Sequence, residues 1–437
     1  LVSFPDGVLI DYAPTFELRQ TDWYRWMSDA EGFAFSAKSG INLISGWTTT
    51  WSEELGGSLT YAPSMFVHTI GKLAELDTPY PATAPNPCLT DETVYQTVLK
   101  NVRAALAKDP DVNIISVSQN DKEEYCQCDA CAAIDAEEGS PAGTLLRFVN
   151  RIAEELEDEY PNVIIDTLAY KYTRKAPQIT KPHKNVCVRL CSIECHFNHP
   201  LTTESCAVCS DFCNDLVEWS KICENIYIWD YTTDFSYYIS FFPNLHVLRD
   251  NMQFFAEHNV KGMFEQGNGQ GLSGEFGELR AYLLAKLMMY PYMTEEEYFA
   301  LMDEFLAAYY GEGWQSIRSF IDLTIELVAN EGSCIFIYEE PLQSISREEY
   351  LQYEEQIEAW WNTAEELAGD RLEYVKRSRL QWRYIQLLLH PDQEACDQFI
   401  ADVEAYGIRW AESEGNNIPL HLKFPELYPA LQPKTEE

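Results

Sequence analysis

Residues 114–121, Ile-Ile-Ser-Val-Ser-Gln-Asn-Asp, end an apolar, β-branched run in a polar pair, Asn120 and Asp121. A tight cysteine group, Cys126-x-Cys128-x-x-Cys131, follows at once. A strand that delivers a carboxylate at its C-terminal end is how an α/β barrel places acid chemistry at its mouth. The competing reading is a simple turn, since Asn and Asp side chains bond nearby backbone. The pattern recurs, however. Later apolar runs lead into Tyr170-Lys171-Tyr172, Ser192-Ile193-Glu194, Trp229-Asp230-Tyr231 and Glu265-Gln266-Gly267-Asn268. If these ends converge on one face, they supply the materials of glycoside hydrolysis: a proton donor, a group opposite it, and rings for sugar faces. Each residue also has a plainer role. Asp230 could cap a loop, Glu265 could pair with a buried arginine, and His196 and His199 could be surface residues of a cysteine-rich loop.

The elements that must position these residues are legible as eight short apolar runs, at 8–18, 41–44, 65–69, 112–118, 163–169, 186–191, 226–229 and 260–264. Between them the apolar period shifts toward 3.6. Val94, Val98, Val102 and Ala105 share a face behind a cap at Thr90-Asp91-Glu92, and Leu145, Val149, Ile152 and Leu156 share one behind Ser140-Pro141. Alternating strands and helices, with strands apolar on both faces, predict an α/β fold: a (β/α)8 TIM-like barrel over residues 1–291. From residue 292 the strand signal nearly stops. Thr294-x-x-Glu297 and Ser346-x-x-Glu349 are capping boxes, and a C-terminal α-helical domain is expected over 292–437. Gly267-x-Gly269-x-Gly271 lacks the GxGxxG spacing and is expected to be a flexible loop at the barrel mouth.

Composition narrows the partners. The 437 residues carry 70 acidic against 31 basic side chains, a formal charge of -39. Such a surface repels phosphate backbones and anionic lipid, so nucleic acid is excluded as a partner class. No run approaches the roughly 18 apolar residues of a spanning helix. No signal peptide is visible at Leu1-Val2-Ser3-Phe4, and the almost immediate strand-like run suggests a trimmed upstream segment. Thirteen cysteines are present, eleven of them between Cys88 and Cys223. Cys126, Cys128 and Cys131 supply three ligands, and a fourth from elsewhere would complete a structural zinc site; disulfides weigh equally. Either would hold the loop behind Asn120-Asp121 rigid. No Walker-type loop, HExxH or GxSxG occurs, and no cofactor for catalysis is expected.

The strings SVSQNDKEEYCQCDACAAID, VCVRLCSIECHFNHPL, IYIWDYTTDF, FFPNLHVLRDN, VKGMFEQGN and GEFGELRAYLLAKLM, in this order, resemble a glycoside-hydrolase-like family long labelled a domain of unknown function. The likeness runs from Ile10 to Gly311. That family is common in gut Bacteroidetes and Firmicutes, and some members are endo-β-N-acetylglucosaminidases acting on the chitobiose core of complex N-glycans. The resemblance implies a TIM-barrel hydrolase acting on glycoproteins, exported or displayed by a bacterium. N-acetylglucosaminides can be cleaved with the substrate's own acetamide as nucleophile, which leaves the enzyme to supply an acid and a group that orients the acetamide. Asn120 as the orienting group and Asp121 as the acid fit that division; the resemblance raises Glu194 as a competing acid. Tyr170, Trp229, Asp230, Tyr231 and Glu265 are the expected sugar-binding residues. Two alternatives stand beside this reading: a non-catalytic glycan-binding barrel, and an exo-acting hexosaminidase or α-glucuronidase.

Overall fold

The computed structural model describes residues 12–44, 59–329, 334–412, 417–423 and 425. Its centre is a parallel sheet of seven strands: β1 (Leu18–Asp22), β2 (Leu43–Ile44), β3 (Ile114–Ser116), β4 (Ile164–Ala169), β5 (Val186–Cys191), β6 (Ile226–Tyr231) and β7 (Val260–Gln266). Their spatial order is β2-β1-β7-β6-β5-β4-β3. Every residue of β5 and β6 is buried, as expected for strands covered on both faces. Helices such as Glu92–Leu106, Ala142–Leu156 and Ala207–Ile222 form the cover, each with an apolar stripe turned inward.

The sheet curls. Beyond β3, Tyr61 makes a parallel bridge to Ile114. Phe66, a few residues on, reaches across to Phe264 of β7 and Trp229 of β6, with ring centroids 5.6 and 5.7 Å apart. The concave face is floored by a buried ion pair, Arg189 to Asp166 at 3.0 Å, with the Tyr61 hydroxyl donating to Asp166 at 2.7 Å. Two opposite charges taken out of water together are tolerable where either alone would be very costly.

Two expected strands differ from what is observed. Residues 65–69 are not a strand, because Ser64 (φ 61°) and His68 (φ 52°) adopt left-handed backbone, which breaks an extended ladder. The run expected at 8–18 lies partly outside the described residues, and the strand itself begins only at Leu18. Among the described residues no ladder joins β2 to the Tyr61 bridge.

After β7 every assigned element of the described residues is helical, including Gly277–Met289, Glu295–Tyr310, Arg347–Leu367 and Leu372–Leu389. Thr294/Glu297 and Ser346/Glu349 both form reciprocal capping boxes. Trp361 is buried and stacks on Phe276 at 6.3 Å, a core role rather than a ligand platform. The chain then returns toward the sheet. Ile408 bridges Leu272, Trp410 accepts the Tyr238 N–H at 2.9 Å, and the Glu412 N–H donates to Phe235 O at 2.9 Å. Among the described residues no helix is long and apolar enough to cross a membrane.

Candidate active site

A cavity of about 280 Å³ opens at the C-terminal ends of the strands. Asp121, Tyr170, Trp229 and Tyr231 line it together with His68, Gln266, Tyr338 and Glu412, and Leu168, Cys191 and Ile193 give it an apolar wall. The two-residue period of a strand explains the selection. Leu168 and Tyr170, Trp229 and Tyr231, and Gln266 share the concave face, so the residues between them turn away.

Asp121 accepts hydrogen bonds from the Tyr170 hydroxyl at 3.0 Å and the Lys171 ammonium at 3.3 Å. Burial alone would raise its carboxyl. In the acid range where it titrates, the charge of a protonated His68, the Lys171 ammonium and these hydrogen bonds hold it below the ordinary carboxylate value. His68 and Lys171 (φ 50°) both sit in left-handed backbone, a conformation costing roughly 1–2 kcal/mol for a residue with a Cβ. The His68 Nδ1 lies 2.8 Å from the Gln119 carbonyl and must donate to it, which leaves Nε2 as an acceptor. Burial pushes this imidazole below its ordinary value.

Glu412 is displaced the other way. Burial raises its carboxyl, the Gln266 hydrogen bond opposes this, and the charge of Asp121 adds to the rise. The Trp229 indole N–H donates to Gln266 Oε1 at 2.8 Å, and Gln266 Nε2 donates to Glu412 Oε1 at 2.8 Å. An indole can only donate, so the amide orientation is fixed and Glu412 Oε1 is an acceptor. A proton on Glu412 therefore sits on Oε2. Asp22, beside Gln266 in the β1–β7 register, is pushed up to about 7 by burial and by Glu412. A Cβ on Gly269 would meet the Asp22 carboxylate at 2.3 Å and one on Gly267 would meet the Trp23 ring at 2.2 Å. The glycines expected to give a flexible loop instead permit close packing.

The remaining sequence candidates lie elsewhere. Asn120 is fully buried: its Oδ1 accepts the Gly71 N–H at 2.9 Å and its Nδ2 donates to Ala84 O at 3.0 Å, clamping two loops together. Glu194 is not on the cavity wall and pairs with Arg174 at 3.1 Å. Asp230 and Glu265 are register partners on the opposite face of the sheet, where Asp230 accepts from Ser192.

Cys126, Cys128 and Cys131 gather with Cys88, their four sulfurs lying within 4.8 Å of one another. Cys88 Sγ is 3.8 Å from both Cys128 Sγ and Cys131 Sγ. Four sulfurs at a Zn–S distance of about 2.3 Å would stand about 3.8 Å apart, so the set fits a tetrahedral zinc ion. None of the thirteen cysteines is in a disulfide. The same loop stacks Tyr125 on Tyr172 at 4.3 Å, tying the turn after Asp121 to the one after β4.

Sequence reasoning missed His68, Gln266, Tyr338, Glu412 and Cys88. Gln266 was within reach, since alternation separates it from Glu265. Glu412 was not: it lies 146 residues from the Gln266 it contacts.

No curated protein matches the chain. Among solved structures, a GH138 enzyme targeting pectin rhamnogalacturonan II is similar at 10% identity and TM-score 0.36, over 91% of this chain and 76% of that one. A Bacteroidetes-affiliated GH5 cellulase linked with a polysaccharide utilization locus is similar at 10% identity and TM-score 0.39, over 66% and 95%. D-psicose 3-epimerase in the presence of D-fructose is similar at 11% identity and TM-score 0.29, over 70% and 99%. The family described as a domain of unknown function, DUF4838, matches residues 2–322, which leaves Tyr338 and Glu412 beyond the match and shows that the chain belongs to that family.

Proposed function

We propose that this protein is a glycoside hydrolase that cleaves β-N-acetylglucosaminidic bonds, with Glu412 as the proton donor and ionised Asp121 as the group that orients the substrate acetamide. One observation carries the reading: two carboxyls in one cavity are pushed in opposite directions, Asp121 down and Glu412 up. Carboxyls separated in this way divide into a charged partner and an acid. In this proposal Asp121 takes the orienting role expected of Asn120, and Glu412 takes the acid role expected of Asp121 or Glu194.

The steps follow from the residues. A sugar ring stacks in the cavity against Trp229 and Tyr231, whose rings are 6.3 Å apart and within 23° of parallel. Leu168, Cys191 and Ile193 offer an apolar wall for the acetamide methyl. The acetamide carbonyl oxygen attacks the anomeric carbon while Glu412 Oε2 gives its proton to the departing glycosidic oxygen. Asp121 stabilises the positive charge of the cyclised acetamide. Water then attacks the same carbon, the Glu412 carboxylate takes its proton, and the acetamide is restored with configuration retained.

Endo action on the chitobiose core of complex N-glycans is the finer form of this proposal, supported by the motif likeness. It goes with a protein working outside or on the surface of a bacterium. An exo-acting hexosaminidase is the second reading. The cavity volume supports it, being near the lower end of the roughly 300–1,000 Å³ of small-molecule sites. The architecture we propose around the site is a (β/α)8 barrel, a separate C-terminal helical domain, and a zinc ion on Cys88, Cys126, Cys128 and Cys131. Incubation with a glycoprotein bearing complex N-glycans tests the function, followed by mass spectrometry for released glycans ending in one reducing GlcNAc. Release supports the endo reading. Hydrolysis of an aryl β-N-acetylglucosaminide without glycan release supports the exo reading, and glycan binding without turnover of either substrate overturns both.

A further inference from the structure

The loop between β5 and the helix Ala207–Ile222 gathers a second set of metal donors, apart from the four cysteines. We propose that His196, His199, Cys206 and Cys209 bind a structural zinc ion that fixes this loop. Their ligand atoms all lie within 4.8 Å of one another. They come as two short bites, His-x-x-His and Cys-x-x-Cys, and two imidazoles with two thiolates are a tetrahedral zinc donor set.

The histidine tautomers suit the role. His199 Nδ1 is 3.0 Å from the Pro200 carbonyl and must donate to it. That leaves Nε2 a bare acceptor, and it is buried with no hydrogen-bond partner. An unpaired buried acceptor costs about 1–3 kcal/mol, a cost that a metal ion would remove. A ring N–H held by a carbonyl is also the arrangement that orients a metal-bound histidine. His196 Nδ1 already lies 3.2 Å from Cys206 Sγ.

The thiols are equally prepared. Cys206 is the residue preceding the helix and Cys209 lies in its first turn, where the helix N-terminus favours negative charge. The His196 backbone N–H points to Cys209 Sγ at 3.4 Å. Binding would displace both thiol protons, so that two thiolates neutralise the ion while both imidazoles stay neutral.

The site has a structural consequence at the cavity. Between the two histidines, Asn198 Oδ1 accepts the Ile335 N–H at 2.9 Å, and Phe197 N–H donates to Ile335 O at 2.9 Å. This anchors the segment that carries Tyr338 to the cavity, while Ile193 of the same loop forms part of its wall. Zinc here would hold both in place.

Native mass spectrometry and elemental analysis of the full chain, purified without chelator, test the proposal. Cys206→Ser/Cys209→Ser should bind one zinc fewer than the wild type, and Cys128→Ser/Cys131→Ser should keep the second zinc. X-ray absorption at the zinc edge of that latter variant should give two sulfur and two nitrogen neighbours, at about 2.3 and 2.0–2.1 Å. Should the variants fail to fold, wild-type protein alone decides: two zinc ions with a mixed sulfur and nitrogen shell support the site. An all-sulfur shell overturns it, as does unchanged zinc in Cys206→Ser/Cys209→Ser. A Cys206–Cys209 disulfide in peptides from unreduced protein also overturns it.

Discussion

Two pairs of carboxylates stand at the C-terminal end of the sheet, and they are built oppositely. Asp121 and Glu412 share an open cavity, each hydrogen-bonded to a named donor, and differ in which way their proton affinity moves. Asp230 and Glu265 lie back to back with them, between sheet and helices. Burial pushes Asp230 up to about 6 and Glu265 well above its ordinary value. Both Glu265 oxygens are buried with no hydrogen-bond partner. A strand end alone thus does not put a carboxyl in the cavity. A strand residue must also fall on the concave parity of the pleat, as Gln266 does and Glu265 does not.

The sharpest way to break this comparison is Glu412→Gln. It should lower kcat on an aryl β-N-acetylglucosaminide by about 10²–10⁴-fold with little change in KM. The wild-type rate should fall as pH rises through the Glu412 value, which lies above the ordinary one, and the variant should lose that limb. Full activity in Glu412→Gln would move the acid elsewhere. Next, Asp121→Asn should cost roughly 10²-fold, the scale of losing one electrostatic stabiliser. Because the Asp121 carboxyl is held below its ordinary value, the wild type should stay active well into acid, and the variant should lose the acid limb of its profile.

The outward pair should behave differently. Glu265→Gln and Asp230→Asn should change kcat/KM by less than tenfold, or about 1.4 kcal/mol. Their signature belongs to stability. For a carboxyl whose folded value is raised, the favourable contribution is complete below the ordinary value and is lost as pH rises through the folded one. For Asp230 that window runs from 3.8 to about 6. The Tm advantage of Asp230→Asn over wild type should therefore grow across it, as read by calorimetry. A flat difference would show that Asp230 titrates normally. Asp22, pushed up to about 7, has a wider window, from 3.8 to about 7. There the Tm difference between Asp22→Asn and wild type should widen across that range without loss of the concave cavity.

How much of this was legible depends on how local each signal is. Strand β5 runs from Val186 to Cys191, as its apolar run does, and the helices Glu92–Leu106 and Ala142–Leu156 contain the faces read at Val94 to Ala105 and Leu145 to Leu156. Caps at Asp91, Thr294, Ser346 and Asp392 are also visible, because a cap is a contact within three or four residues. The Tyr61 region misled, since two left-handed residues interrupt a run whose composition reads as strand.

The sequence by itself determined the parallel α/β character, the helical stretch after residue 292, the acidic surface and the cysteine spacing, all set by periodicity and neighbours along the chain. It also held, unused, the alternation that separates Trp229 and Gln266 from Asp230 and Glu265. Only the tertiary structure decided that Asn120 clamps loops, that Cys88 joins Cys126, Cys128 and Cys131, and that Glu412 enters the cavity. Those partners are brought together by the curl of the sheet and the return of the chain from its helical region. Proton affinity depends on burial and on charges close in space, so the opposite displacements of Asp121 and Glu412 emerge only when distant segments meet.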